Sequence, residues 1–259
     1  MKQERIDIEQ ARRAIGLRLV TLSMVPSPWS EALKGILHIK QLPHARVAHV
    51  SGSPTQTLQD WSGQDSFPVI AWNDERPLSR WIDQLNLAER LAPTPRLIPE
   101  RFEDRVLMFG YCNELCGENG IGWTERLRAV HEQLTTPGGD SMGVSAYLGK
   151  KYGYTPEIGA RAAERVAAGL TALAARLEQQ KGRGSRFFIG DSLSAMDIYW
   201  AAFSNMLKPL PPKLMPMHER MRAMFTTTDP TVVAALKPIL IEHRDFIFKN
   251  YLELPIDLS

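Results

Sequence analysis

The sequence predicts an α/β domain at the front of the chain and an all-helical domain behind it. Three observations lead there. Short β-prone runs alternate with helix-periodic runs from Leu17 to Leu91. The stretch Ala92–Pro99, APTPRLIP, then sets three prolines in eight residues, a composition that stops helices and reads as a linker. Beyond it, almost every apolar pattern has the helical period. The predicted boundaries are an extension over 1–16, an α/β domain over 17–92, a linker over 93–99 and a helical domain over 100–259.

Taken in order, residues 1–16 are charged and loosely amphipathic, which suits an extension or short helix. Leu17–Ser23, LRLVTLS, fits a buried strand. Pro26-Ser27-Pro28 breaks the chain, and Pro28 suits the first turn of a helix whose Leu33, Ile36 and Leu37 share one face. Ala45–Val50 alternates like a second strand, and Ser51–Ser66 is polar and reads as irregular. Phe67–Trp72 is a short apolar run, followed by a turn at 73–77 and an amphipathic helix over Leu78–Leu91. Past the linker the pattern predicts helices over Arg101–Cys116, Trp123–Leu134, Val144–Tyr152 and Pro156–Gln180. A last pair is predicted over Met217–Phe225 and Asp229–Tyr251.

The second half is organised around Phe187–Ala202, FFIGDSLSAMDIYWAA. Gly190 and Asp191 supply a turn, and Ser194 and Asp197 stand three residues apart at a helix start. That spacing allows a reciprocal capping box, with Leu193 and Ile198 placed as a hydrophobic staple. Ile198 to Phe203 is apolar on every side, and a helix apolar all round is a buried one.

Composition narrows the function classes. The 259 residues carry 31 basic and 29 acidic side chains, a formal charge of +2. No segment is basic enough to be a footprint for nucleic acid or an anionic membrane. No apolar run approaches the roughly 18–20 residues of a membrane span, and MKQERIDIEQARR lacks a signal-peptide core. Cys112 and Cys116, at helical spacing, argue against a disulfide scaffold and for buried packing. The six histidines show no metal-ligand spacing. These features predict a cytoplasmic globular protein.

The run G-D-x-L-S-x-x-D-I ahead of a buried helix resembles the start of the central helix in the C-terminal domain of glutathione transferases. The order of elements before the linker resembles the thioredoxin-like N-terminal domain of the same family. The resemblance implies a thioredoxin-like domain, an all-helical second domain, glutathione as co-substrate, no metal, and a homodimer. It also implies a small-molecule electrophile, hydrophobic or aromatic, as second substrate. The different class left open is a transferase-like binding module without catalysis.

Candidate site residues follow from the same comparison. Ser27, in S-P-W-S, stands where zeta-like members have a catalytic Ser and omega-like members a Cys. On residue chemistry alone it is either an N-cap ahead of Pro28 or a donor to a bound sulfur. A free thiol titrates near 8.5, and lowering that by ~2 units corresponds to ~2.7 kcal/mol. A hydroxyl and a helix N-terminus both favour the thiolate. Serine also argues against disulfide exchange, which needs a thiolate attacker. Pro68, after Phe67, stands at the family's cis-proline, the other reading being a trans edge-strand proline. Ser79 stands where the family holds the γ-glutamyl carboxylate, or is a plain N-cap, and Leu78 replaces the usual acidic or amide residue. Trp29 completes the glutathione set. Phe109, Tyr111, Cys112 and Trp123 are candidates for the second-substrate pocket, or ordinary helix core.

Overall fold

The computed structural model describes residues 5–258. It divides into two compact units. The first takes the chain up to Ile98 together with Leu210–His218 and the stretch from Ile247 onward; the second takes Pro99–Pro209 and Glu219–Phe246. The linker over 93–99 thus marks only one of the crossings, because the C-terminal stretch returns to the first unit.

In the first unit the elements are α1 (Ile8–Arg13), β1 (Leu17–Ser23), α2 (Pro28–Ile39), β2 (Ala45–Val50), α3 (Gln56–Ser62), β3 (Val69–Trp72) and α4 (Trp81–Leu91). The sheet has the order β2-β1-β3, with β1 parallel to β2 and antiparallel to β3. Side chains alternate along β1, so each parity serves one face. Leu17 and Leu19 join Leu33 and Leu37 of α2, Ile70 and Leu87 in one buried cluster. Val20 joins Ala11, Val47, Leu58 and Val69 in the other, with Trp61 and Phe67 against it. Each fully buried Leu or Val contributes roughly 1.5–3 kcal/mol, which is why β1 tolerates no polar run.

Arg18 is the exception on that strand. It is 1 % exposed, and its guanidinium donates to the carbonyls of Ala11 (3.1 Å), Gly16 (2.6 Å) and Asn73 (2.7 Å). A buried cation is tolerable only when so engaged. Lys40 does the same at the end of α2, donating to the carbonyls of Ala92 (2.7 Å) and Pro95 (2.8 Å) and pairing with Glu89 at 2.8 Å. Glu89 in turn accepts the N–H of Leu97 at 2.7 Å. The proline-dense linker is thereby fastened into the first unit.

Two expectations are corrected here, and the short helix allowed for within 1–16 forms. The polar stretch Ser51–Ser66 contains helix α3, which buries Leu58 to 1 % exposure. The helix expected over Leu78–Leu91 starts at Trp81, because Leu78 is held in the sheet by a two-way bridge with Ile70 at 2.9 and 2.8 Å. Within the extension expected over 1–16, Asp7 caps α1 through a complete capping box, while residues 1–4 lie outside the described residues.

The second unit holds α5 (Phe102–Cys116), α6 (Ile121–Thr135), α7 (Val144–Tyr152), α8 (Pro156–Gly182), α9 (Ala195–Phe203), α10 (Glu219–Met224) and α11 (Pro230–Ala235). Helix α12 (Pro238–Tyr251) begins in this unit and ends in the first. The pair of helices expected at the end is therefore three, because Pro238 cannot continue α11. Every residue of α9 is buried. Its capping box forms, and the Asp197 carboxylate accepts the N–H of Ser194 (2.8 Å), the Ser194 hydroxyl (2.8 Å) and the N–H of Phe188 (2.9 Å). The His243 Nε2 lies 3.1 Å from the Asp197 Oδ1 that accepts the Phe188 N–H, a close approach rather than a directed hydrogen bond. Trp200, fully buried, donates its indole N–H to the Leu240 carbonyl at 2.9 Å.

Candidate glutathione site

Antiparallel pairing decides where the site residues stand. Val20 of β1 is opposite Val69, so Phe67 and Pro68 lie beside the C-terminal end of β1, just before the loop that carries Ser27. The Ile70–Leu78 bridge runs antiparallel too, which brings Ser79 to the same end of the sheet. Strand pairing thus directs three stretches far apart in sequence to one end of the sheet, within the first unit. The Phe67–Pro68 peptide is cis, as the resemblance requires.

Ser27 is the N-cap residue of α2, and Pro28 occupies the first helical position. Its carbonyl accepts the Glu31 N–H at 2.9 Å, but its hydroxyl makes no capping hydrogen bond. The plain N-cap alternative therefore does not describe this side chain, which is 7 % exposed. The residue just inside α2 is Trp29, half-buried. Ser79 is not an N-cap either: Arg80 holds that position for α4, without a side-chain cap, and Ser79 precedes it, half-buried. The Arg80 side chain is 77 % exposed, 3.9 Å from Asp83. Helix N-termini without side-chain caps keep amide donors available for an anion.

One contributor had no signal in the sequence. Gln84, on α4 and 2 % exposed, donates from its Nε2 to the Pro68 carbonyl (2.9 Å) and the Leu78 carbonyl (3.2 Å). A single buried amide thus joins the cis-proline turn to the stretch leading to Ser79. A lone Gln in an amphipathic helix ordinarily reads as a solvated residue.

Among the candidates on the helical side, Phe109, Tyr111 and Trp123 are half-buried, and the Trp123 indole donates to the Tyr152 carbonyl at 3.1 Å. Cys112 is fully buried and its sulfur faces the Met108 sulfur at 3.5 Å, so it has no surface to offer a substrate. Cys116, 2 % exposed, donates to the Cys112 carbonyl at 2.9 Å. Burial pushes both thiols well above their ordinary range. Among the described residues, no group of His, Cys, Asp and Glu side chains is arranged to hold a metal ion, and no helix is long and apolar enough to cross a membrane.

No protein-family profile matches the sequence, and no curated protein is detectably similar to it. Solved structures are. A glutathione transferase from Methylobacillus flagellatus with glutathione bound superposes at TM-score 0.63, with 15 % identity over 90 % of this chain and 95 % of that one. One from Methylobacterium radiotolerans, in complex with glutathione sulfonate, gives 0.55 and 17 % over 85 % and 94 %. A bacterial zeta-class maleyl pyruvate isomerase gives 0.53 and 17 % over 87 % and 95 %. The fold is that of the glutathione transferases: a thioredoxin-like unit followed by helices.

Proposed function

We propose that this chain is a glutathione transferase, in which Ser27 steadies the glutathione thiolate for attack on a small, hydrophobic or aromatic electrophile. The observation that carries the reading is the Ser27 hydroxyl, which does not cap α2 although it stands at that helix start, on the loop that leaves the end of β1 toward which Phe67, Pro68 and Ser79 are also directed by strand pairing. The backbone of Phe67 takes the cysteinyl part of the tripeptide. Ser79 and the first-turn amides of α4 take its γ-glutamyl carboxylate, and Trp29 forms a wall. The thiol proton leaves to solvent, and the Ser27 O–H donates to the sulfur anion. The sulfur lone pair then forms a bond to the electrophilic carbon, and the leaving group, where there is one, departs with its electron pair. Holding both reactants together supplies the remaining acceleration. Phe109, Tyr111 and Trp123 are proposed to line the second-substrate pocket. Pairing of two copies is supported by Phe102 and Val106, one turn apart on α5 and 66 % and 54 % exposed.

The test is the pKa of bound glutathione, read by thiolate absorbance against pH. In the parent it should lie well below the free value of about 8.5, and Ser27→Ala should return it toward that value. At neutral pH the variant should lose activity toward a generic electrophile by about tenfold to a hundredfold, the rate equivalent of about 1.4–2.7 kcal/mol. A Ser27→Ala variant with full activity removes Ser27 from the mechanism. A folded parent that gives no heat with about 1 mM glutathione, the ligand level of a very weak complex, leaves a binding module of another kind.

A further inference from the structure

The end of the chain lies on the first unit as a strap, and its acidic residues meet a basic face. Glu253 approaches His38 at 3.5 Å. The Asp257 carboxylate pairs with Arg46 at 2.5 Å, and its carbonyl accepts from the Lys34 ammonium at 2.7 Å. Lys34 also pairs with Glu31 at 2.7 Å, so α2 presents Glu31, Lys34 and His38 to the strap from one face. The side chains of Lys34 and Arg46 are only 18 % and 12 % exposed, while the Asp257 side chain is 53 % exposed, so the pair is part-screened and its basic side is held in place by burial. Ile256 and Leu258 are each 6 % exposed, and the Ile256 N–H donates to the Leu214 carbonyl at 2.8 Å. The strap is therefore held by apolar burial as well as by charge.

Its last contact reaches the candidate site. The Leu258 carbonyl accepts the N–H of Met24 at 2.6 Å. Met24 follows the last residue of β1 and has φ +60°, a left-handed conformation that a Met side chain seldom adopts unaided. Val25, Pro26 and Ser27 come directly after it. The strap thus grips both sides of Ser27: the backbone just before it, and the outer face of the helix just after it.

We propose that the strap, residues 253–258, is a positioning element of the thiol site, with Asp257 as its principal residue. The Asp257 carboxylate pins the strap to Arg46 on β2, and so holds the Asp257 backbone carbonyl on Lys34 of α2 and the Leu258 carbonyl on the Met24–Ser27 loop, which together fix where the Ser27 hydroxyl stands. This rests on the reading of Ser27 as the thiolate donor. Of glutathione's other proposed contacts, Phe67 and Ser79 stand on stretches other than those of the strap's partners Met24, Lys34, His38 and Arg46, and Trp29 supplies only a wall. Loosening the strap should therefore raise the pKa of the bound thiol without weakening capture of the neutral thiol form, which separates a positioning role from general destabilisation.

The experiment compares the full chain, a chain ending at Leu252, and full-length Asp257→Ala and Asp257→Glu variants. Two readouts are taken: amide hydrogen exchange over residues 24–33 without ligand, and the pKa of bound glutathione. Truncation and Asp257→Ala are expected to speed exchange there by about tenfold and to raise the bound-thiol pKa by about one unit, the same factor of ten. Asp257→Glu should restore most of both. If the truncated chain does not fold, the point variants carry the test. Unchanged exchange over 24–33 in Asp257→Ala overturns the proposal, whether or not glutathione binds. Faster exchange with an unchanged thiol pKa overturns it too. If the parent binds no glutathione, the thiolate reading fails and the positioning role fails with it, while exchange still reports whether the strap holds the loop.

Discussion

Replacing Gln84 with Leu removes a buried side chain that ties the cis-proline turn to the stretch before Ser79. The two carbonyls it serves are not equally exposed to the loss. The Leu78 carbonyl also accepts the Ile70 N–H at 2.9 Å and keeps that partner. The Pro68 carbonyl loses the buried amide at 2.9 Å. An orphaned buried acceptor costs about 1–3 kcal/mol, and Leu adds no bulk to offset it, so the expected destabilisation is about 2 kcal/mol. For a chain of this size that lowers Tm by about 4–8 °C. Glutathione affinity should fall as well, by about tenfold if about 1.4 kcal/mol of the loss falls on the bound geometry. The bound-thiol pKa should stay put, because Ser27 is untouched. Thermal melts, calorimetric titration and thiolate absorbance measure the three quantities. A Gln84→Leu chain with parental Tm and parental affinity refutes the reasoning.

Asp197→Ala removes a fully buried carboxylate that accepts from Phe188 and Ser194 and faces His243, and should cost about 3–5 kcal/mol in a chemical-denaturation series. Cys112, Cys116 and Tyr199 are acids whose pKa values are raised, first of all by burial. Below the ordinary thiol range both the folded and unfolded chains keep these groups neutral, so they do not change stability there. Above it only the unfolded chain releases the protons, so stability is lost as pH rises through about 8.5 and onward. Melting temperature should fall across pH 8.5–10.5 and fall less in a Cys112→Ala, Cys116→Ala chain. In the same range a thiol reagent should label neither cysteine without denaturant, and rapid native labelling would contradict their burial.

What the sequence made legible was whatever rests on local pattern. Ala45–Val50 and Val144–Tyr152 emerge with the boundaries their periodicity implies, because apolar period and turn residues agree there. The Ser194–Asp197 box was legible for the same reason. Helix α3 was hidden because Gly, Ser and Pro surround a segment whose apolar content is Leu58 and Trp61, and Thr55 makes no side-chain cap. The break between α11 and α12 is masked by the helical period on either side of Pro238. Leu78 looked like a missing polar contact for the γ-glutamyl group, whereas its backbone has a sheet bridge to make. Gln84 and the strap share a deeper reason for being missed. Their partners lie 16 and more than 200 residues away, and no local spacing encodes such pairs.

The strap also has a consequence for biosynthesis. The module that a ribosome releases first cannot be finished until residues 257 and 258 have been made, since Asp257 and Leu258 belong to it. A fragment ending near Ile98 is therefore not a faithful miniature of that module. It should fold, if at all, with Met24 and Lys34 short of an acceptor each. Circular permutants that splice the tail onto the front of the chain would keep the module contiguous, and are the better starting point for studying it alone.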